Sequence, residues 1–167
     1  MVTDAGNNEM RIYLDADACP VKEEVYRVAA RYGVPVAVVA NARLRMPPQP
    51  GVELVVVGGE IDAADDWIAE HATGADVVLT ADVPLAARVM RTGATCLDFR
   101  GSEFNPNRIG DALAARDLNA YLRSMGLPAS GPPAFQPRDR SRFASKLDAV
   151  VGRAARGRAS QGANKPT

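Results

Sequence analysis

The chain has 167 residues, 47% hydrophobic, 24% charged and 5% aromatic, which suits one packed domain and excludes wholesale disorder. No run approaches the ~18 apolar residues of a membrane span, and the first ten residues carry no basic-then-apolar signal. Two cysteines are too few for a disulfide framework, so reduced thiols and a cytoplasmic location are expected. A net charge of zero hides an asymmetry: residues 1–99 hold 8 Lys and Arg against 15 Asp and Glu, residues 100–167 hold 12 against 5. Either an acidic site lies beside a basic surface that gathers a polyanion, or helical surfaces simply vary in charge.

Residues 1–10 read as a loose leader, 11–151 as a single domain, and 152–167, which lack apolar anchors, as a disordered basic tail. Arg11 to Asp15 has the apolar density of a buried strand. Pro20 suits the first position of a helix whose Val21, Val25, Val28, Ala29 and Tyr32 recur at helical spacing before Gly33. Val34 to Ala40 is a second strand. Pro47, Pro48 and Pro50 make residues 41–51 a loop, and Val52 to Val57 is a third strand.

Ile61 to Thr73 is a helix with Ala64, Ile68 and Ala72 inward. Val77 to Thr80 is a fourth strand, Pro84 to Arg91 a short helix and Ala94 to Asp98 a fifth strand. Arg108 to Ser124 is a helix packing through Ile109, Leu113 and Leu122. A Gly- and Pro-rich linker at 126–137 precedes a last helix, Ser141 to Val151, with Phe143, Leu147 and Val150 on one face. Short buried strands alternating with amphipathic helices predict a three-layer α/β fold, its mostly parallel five-stranded sheet flanked by helices.

Polar residues collect just past the strand ends. Asp15 and Asp17 follow the first strand, Asn41 the second, Glu60, Asp62, Asp65 and Asp66 the third, Thr80 and Asp82 the fourth, and Asp98 the fifth. In a parallel sheet these ends share one edge, where open α/β sheets bind ligands. Gathered carboxylates repel one another unless a cation neutralises them. An all-oxygen set suits Mg²⁺ or Mn²⁺. Asp15, Asp17, Asp62, Asp65 and Asp82 are the candidate metal ligands, and Asp15, Asp17, Asp65 and Asp82 the candidate catalytic residues. The alternative use of Asp17, Asp62 and Asp82 is helix capping. Asn41, Lys22 and Thr80 are candidates for substrate contact, and a solvated Lys22 is the alternative. A lone His71 late in a helix suits the helix dipole; Cys19 and Cys96 suit the core.

DADACPVK (Asp15 to Lys22), the glycine-then-DAAD stretch at Gly59 to Asp65, LTADVPLA, and the later GPPAFQPRDRSRFASKLD resemble the YaiI/YqxD family of uncharacterised bacterial proteins across roughly residues 11–151. That family is similar in its core to PIN-like domains, many of which are metal-dependent ribonucleases. The resemblance implies a PIN-like fold and a metal-site role for Asp15, Asp65 and Asp82, with Thr80 supporting. It also departs from the PIN pattern: the further acid of a middle helix has no counterpart beyond Glu60 or Asp62.

Three functions follow as expectations. One is an Mg²⁺- or Mn²⁺-dependent nuclease acting on RNA. Aromatics at 5% disfavour base stacking, so contact would be led by the backbone. Arg138, Arg140, Arg142, Lys146, Arg153, Arg156 and Arg158 either hold that backbone or keep a tail soluble. The second is a catalytically silent metal- or nucleic-acid-binding regulatory module. The third is an aspartate-type phosphatase, for which Lys22 and Lys146 are poorly spaced. No membrane partner is expected, and the oligomeric state is left open.

Overall fold

Five apolar runs form β1 (Ile12–Asp15), β2 (Val36–Ala40), β3 (Val52–Val56), β4 (Val77–Leu79) and β5 (Thr95–Leu97). The computed structural model describes residues 9–46, 48–129, 131 and 133–162. All four strand pairings are parallel, in the order β3-β2-β1-β4-β5. The chain therefore steps outward from β1 to β3, then returns across the sheet to β4. The reversal lies between β1 and β4, where open sheets place their ligand crevice. The three-layer α/β expectation holds, with every pairing in the sheet parallel.

Strand alternation divides the interior in two. Ile12, Leu14, Val36, Val38, Val77 and Leu79 face α1 (Lys22–Tyr32) and α5 (Pro137–Gly162). Tyr13, Val39, Val78 and Cys96 face α2 (Ala63–His71), α3 (Val83–Met90) and the start of α4 (Pro106–Ser124). The Arg31–Asp148 ion pair and a 3.2 Å hydrogen bond donated by Tyr32 Oη to Asp148 tie α1 to α5. Across the other end of α5, Arg100 pairs with Asp139 at 3.0 Å, and Arg140 pairs with Glu24 at 2.9 Å.

Several boundaries differ from expectation. Met10, assigned to the leader, is buried in the core; residues 1–8 lie outside the described residues. Helix α1 starts at Lys22 rather than Pro20. Ala18 adopts φ 61° and the Cys19 amide bonds Ala16 O at 3.2 Å, so a turn closes before the helix begins. Val21 takes the N-cap position without a side-chain bond, so neither Asp17 nor Ala18 caps α1.

The last helix runs from Pro137 to Gly162 instead of ending at Val151, so residues 152–162 are helical rather than a disordered tail; 163–167 lie outside the described residues. Its extension is alanine-rich, which favours helix, and is seated by smallness rather than apolar bulk. A Cβ on the buried Gly152 would stand 2.8 Å from Tyr32 Oη. Helix α4 begins at Pro106, with the Asn105 side chain accepting from the Arg108 amide at 2.8 Å. It buries only Ile109. Leu113, expected to pack, is exposed, as are Leu118 and Tyr121, and Leu122 is half-buried.

Candidate functional site

Strand β1 must end where the sheet ends, and there it carries Asp15. Strand β4, its neighbour across the reversal, runs into Thr80 and then Asp82. Thr80 is fully buried; its hydroxyl donates to Asp15 Oδ2 at 2.7 Å and accepts from the Asp82 amide at 3.0 Å. One hydroxyl thus sets the carboxylate of one strand and the backbone after the next. Thr80 was a candidate for substrate contact; burial makes it a positioning residue behind Asp15.

Around this pair opens a cavity of about 380 Å³ lined by Asp15, Asp17, Asn41, Asp62, Asp65 and Asp82. All five carboxylates named from the sequence reach it: Asp15 from the end of β1, Asp17, Asp62 and Asp82 from three connections, and Asp65 from α2. Asn41 Nδ2 donates to Asp17 Oδ2 at 2.8 Å, so the end of β2 steadies the loop after β1. Asp82 caps α3 by accepting from the Leu85 amide at 2.9 Å; capping and cavity lining coexist because only Oδ1 is used. Asp62 sits at the N-cap of α2 without a side-chain cap bond, at φ 67°. Among the described residues, Ala18 and Asp62 are the non-glycine residues with positive φ, and both line this cavity. Such backbone costs of order 1–3 kcal/mol each and gathers at functional sites.

The electrostatics follow from the crowding. Burial raises the Asp65 carboxyl from 3.8 to about 6, helped by the charges of Asp82, Asp15 and Asp62 and opposed by Arg88. Burial also raises Asp15, with Asp17 and Asp82 adding to it and the Thr80 hydroxyl opposing. Among the described residues no three His, Cys, Asp or Glu side chains are placed to hold an ion as they stand. In kind, the donors fit a hard divalent cation: all oxygen, mutually repelling and held partly out of water.

Other candidates fall elsewhere. Lys22 Nζ bonds Cys19 O at 3.2 Å and faces neighbouring hollows rather than the acidic cavity. Asp98 pairs with Arg108 and accepts from the Arg100 and Ser102 amides, each at 2.9 Å, so it closes a turn. Asp66 pairs with Arg88 at 2.6 Å. Burial pushes the Cys19 thiol up to about 11 and the Cys96 thiol to about 12, so neither is a ready nucleophile. His71 stacks on Trp67 with centroids 3.8 Å apart, in the last turn of α2. Phe99 also lines the cavity; nothing in the sequence pattern set it apart from core aromatics.

Asp65 gives a sign to the pH dependence. A carboxyl raised in the folded state contributes stability that is complete below its unfolded pKa and lost as pH rises from about 3.8 through about 6. Asp65→Asn removes this burden. Allowing for solvent screening, the gain is on the order of 1 kcal/mol at pH 7.5, or ~2–4 °C in Tm. Thermal melts at pH 4 and pH 7.5 check it, with the gain expected only at the higher pH.

An open parallel α/β sheet with an acidic crevice at its strand-order reversal is the class that fold and site define. The family model described as "Uncharacterized BCR, YaiI/YqxD family" matches residues 13–153, and the chain belongs to that family. It is similar to a "UPF0178 protein" of Rhodopseudomonas palustris strain BisB5, 53% identical over 150 residues, covering 90% of this chain and 92% of the relative. A "UPF0178 protein" of Caulobacter sp. strain K31 is 52% identical over 145 residues, covering 87% and 96%. That of Nitrobacter winogradskyi is 51% identical over 144 residues, covering 86% and 92%. No solved structure matches. Among the described residues no helix is long and apolar enough to cross a membrane.

Proposed function

We propose that this protein is an Mg²⁺- or Mn²⁺-dependent nuclease that hydrolyses phosphodiesters, with RNA as substrate. The reading rests on one observation above the others: five carboxylates from three separate segments line a single cavity at the sheet's reversal point. The PIN-like resemblance points the same way, but kinship of fold alone does not fix function.

A divalent cation there would supply Lewis acidity toward a phosphoryl oxygen and offset the charge of the substrate. Asp15, Asp65 and Asp82 would hold it, with Asp17 and Asp62 within the same cavity. Thr80 keeps Asp15 aimed through its 2.7 Å hydrogen bond. Asp17 or Asp62, lining the same cavity, would serve as a further ligand or as the base toward an attacking water. Asn41 lines the cavity wall, where its amide is suited to a phosphate oxygen. A second reading, a catalytically silent metal- or nucleic-acid-binding module, is motivated by the departure from the PIN pattern, whose middle-helix acid has no counterpart beyond Glu60 or Asp62.

One titration with two readouts separates them. Trp67 lies on the helix that carries Asp65, so Mn²⁺ binding should change its fluorescence and raise Tm. Labelled single-stranded RNA should then be cut with Mn²⁺ and not with EDTA. Binding of RNA without cleavage would establish the silent module; no response of fluorescence, Tm or RNA to Mn²⁺ would remove both.

A further inference from the structure

Beside the acidic cavity lies a second hollow, of about 630 Å³, with the opposite charge. Lys22 and Arg27 from α1 and Arg45 from the β2–β3 connection line it, against the single acid Glu23, over a floor that includes Tyr26 and Ala30. Among the described residues neither Arg27 nor Arg45 has a carboxylate within ion-pair distance. Of the C-terminal cations, Arg140 and Lys146 are paired with Glu24 and Glu103; what distinguishes Lys22, Arg27 and Arg45 is that they line one hollow. Unpaired positive charge converging on one concavity, rather than scattered over a face, is what an anionic ligand uses.

The two hollows have no lining residue in common, but the same two connections lead from one to the other. The β1–α1 connection supplies Asp17 and Ala18 to the acidic cavity and leads directly to Lys22 in the basic one. The β2–β3 connection supplies Asn41 to the first and Arg45 to the second. Ala18 and Lys22, like Asn41 and Arg45, are four positions apart, a reach of at most ~14 Å. A chain of regularly spaced anions held at one hollow is therefore within reach of the other.

We infer that the hollow of Lys22, Arg27 and Arg45 is a subsite for the phosphodiester backbone of single-stranded RNA, holding the strand beside the phosphate that enters the acidic cavity. The inference rests on the nuclease reading for its direction, and it deepens that reading by naming where the rest of the substrate lies. The chemistry is that of a charged groove tracking a backbone: two guanidinium forks and an ammonium, with no exposed aromatic platform in the hollow, so sequence preference is weak. The five acids next door oppose a polyanion until a cation offsets them, so Mg²⁺ strengthens RNA binding here instead of merely screening it.

The test is fluorescence anisotropy of a labelled 12-nucleotide single-stranded RNA with the full chain, across salt concentration, with Mg²⁺ present. Losing two phosphate contacts in Arg27→Gln/Arg45→Gln lowers the salt slope by about 1.4, which is roughly 25-fold in affinity at 0.1 M salt. Arg27→Lys/Arg45→Lys should keep most of the slope, and Mn²⁺ binding read by Trp67 should be unchanged in both. An unaltered slope and affinity in the Gln variant overturns the subsite, whatever happens to cleavage. Preferential binding of an acidic peptide over RNA in the wild type, lost in the Gln variant, overturns the nucleic-acid assignment. RNA that binds through the arginines but is never cut keeps the subsite and removes the nuclease reading, so the two fail separately.

Discussion

Under the proposed nuclease function, Asp15→Asn is expected to lower RNA cleavage by about 10²–10⁴-fold in kcat/KM while raising Tm. The two effects move in opposite directions because Asp15 is held in the folded chain against its own preference. Burial, with the charges of Asp17 and Asp82, disfavours its ionised form. An amide keeps the shape, can still accept from Thr80 Oγ1, and sheds the repulsion. A side chain retained at a cost to stability is the mark of a site built for function. Thr80→Val keeps the volume of a fully buried residue and removes the hydroxyl's two hydrogen bonds, the 2.7 Å one donated to Asp15 and the 3.0 Å one accepted from the Asp82 amide. Removing such an outer partner costs about 10–100-fold. Kinetics on labelled RNA and parallel melts decide the matter. Full activity in Asp15→Asn, or a lowered Tm with no catalytic effect, would show Asp15 to be a structural residue.

Phe143→Ala is expected to destabilise the fold by about 3–5 kcal/mol, lowering Tm by ~6–20 °C. Phe143 is fully buried and packs in the core cluster with Leu147 and Val151 of the same helix and with residues of α1 and the sheet. Nothing else can fill its place, because the backbone there is already in close approach to the loop after β5. A Cβ on Gly101 would lie 2.9 Å from Phe143 Cα, and Gly101 itself has φ 86°. The helix therefore cannot sink to close the cavity that truncation leaves. Denaturant unfolding followed by Trp67 fluorescence measures the loss. A change under 1 kcal/mol would mean that α5 does not seat on the sheet as described.

Both predictions depend on features of different visibility. Asp15 stands out in the sequence because a buried strand otherwise avoids an acid, and Asp82 and Asp65 stand out by position after a strand and at a helix start. What no local pattern showed was that Thr80 connects Asp15 to the backbone at Asp82, since a threonine at a strand end is ordinary. The role of Asp17 was equally undecided. Capping and cavity lining ask for the same residue type, and only the turn at Ala18, which delays α1 to Lys22, removed capping. Asp98 misled for the same reason: the strand-end position was right, but Arg108 claims its carboxylate.

The helices show a similar division. Gly33 ends α1 in the left-handed conformation, as its place after Tyr32 suggested. Helix α4 looked amphipathic, yet it packs through Ile109 and leaves Leu113 in solvent. Periodicity records that a face is apolar and is silent on whether a partner reaches it. In α5 the opposite happened: a stretch without apolar anchors is helical through Gly162, because alanines propagate a helix already nucleated by the packed turns before them.

By itself the sequence determined the strands and helices, the parallel sheet and the segments that carry acid to its edge. These follow from hydrophobic period and from punctuation by glycine and proline, which act over a few residues. Only the tertiary structure decided which acids share a cavity, which are spent on ion pairs, and that Arg27 and Arg45 line one hollow together. Those outcomes depend on the strand order and on contacts between residues far apart in the chain, such as the 65 positions separating Asp15 from Thr80. A local pattern carries no information about such distances.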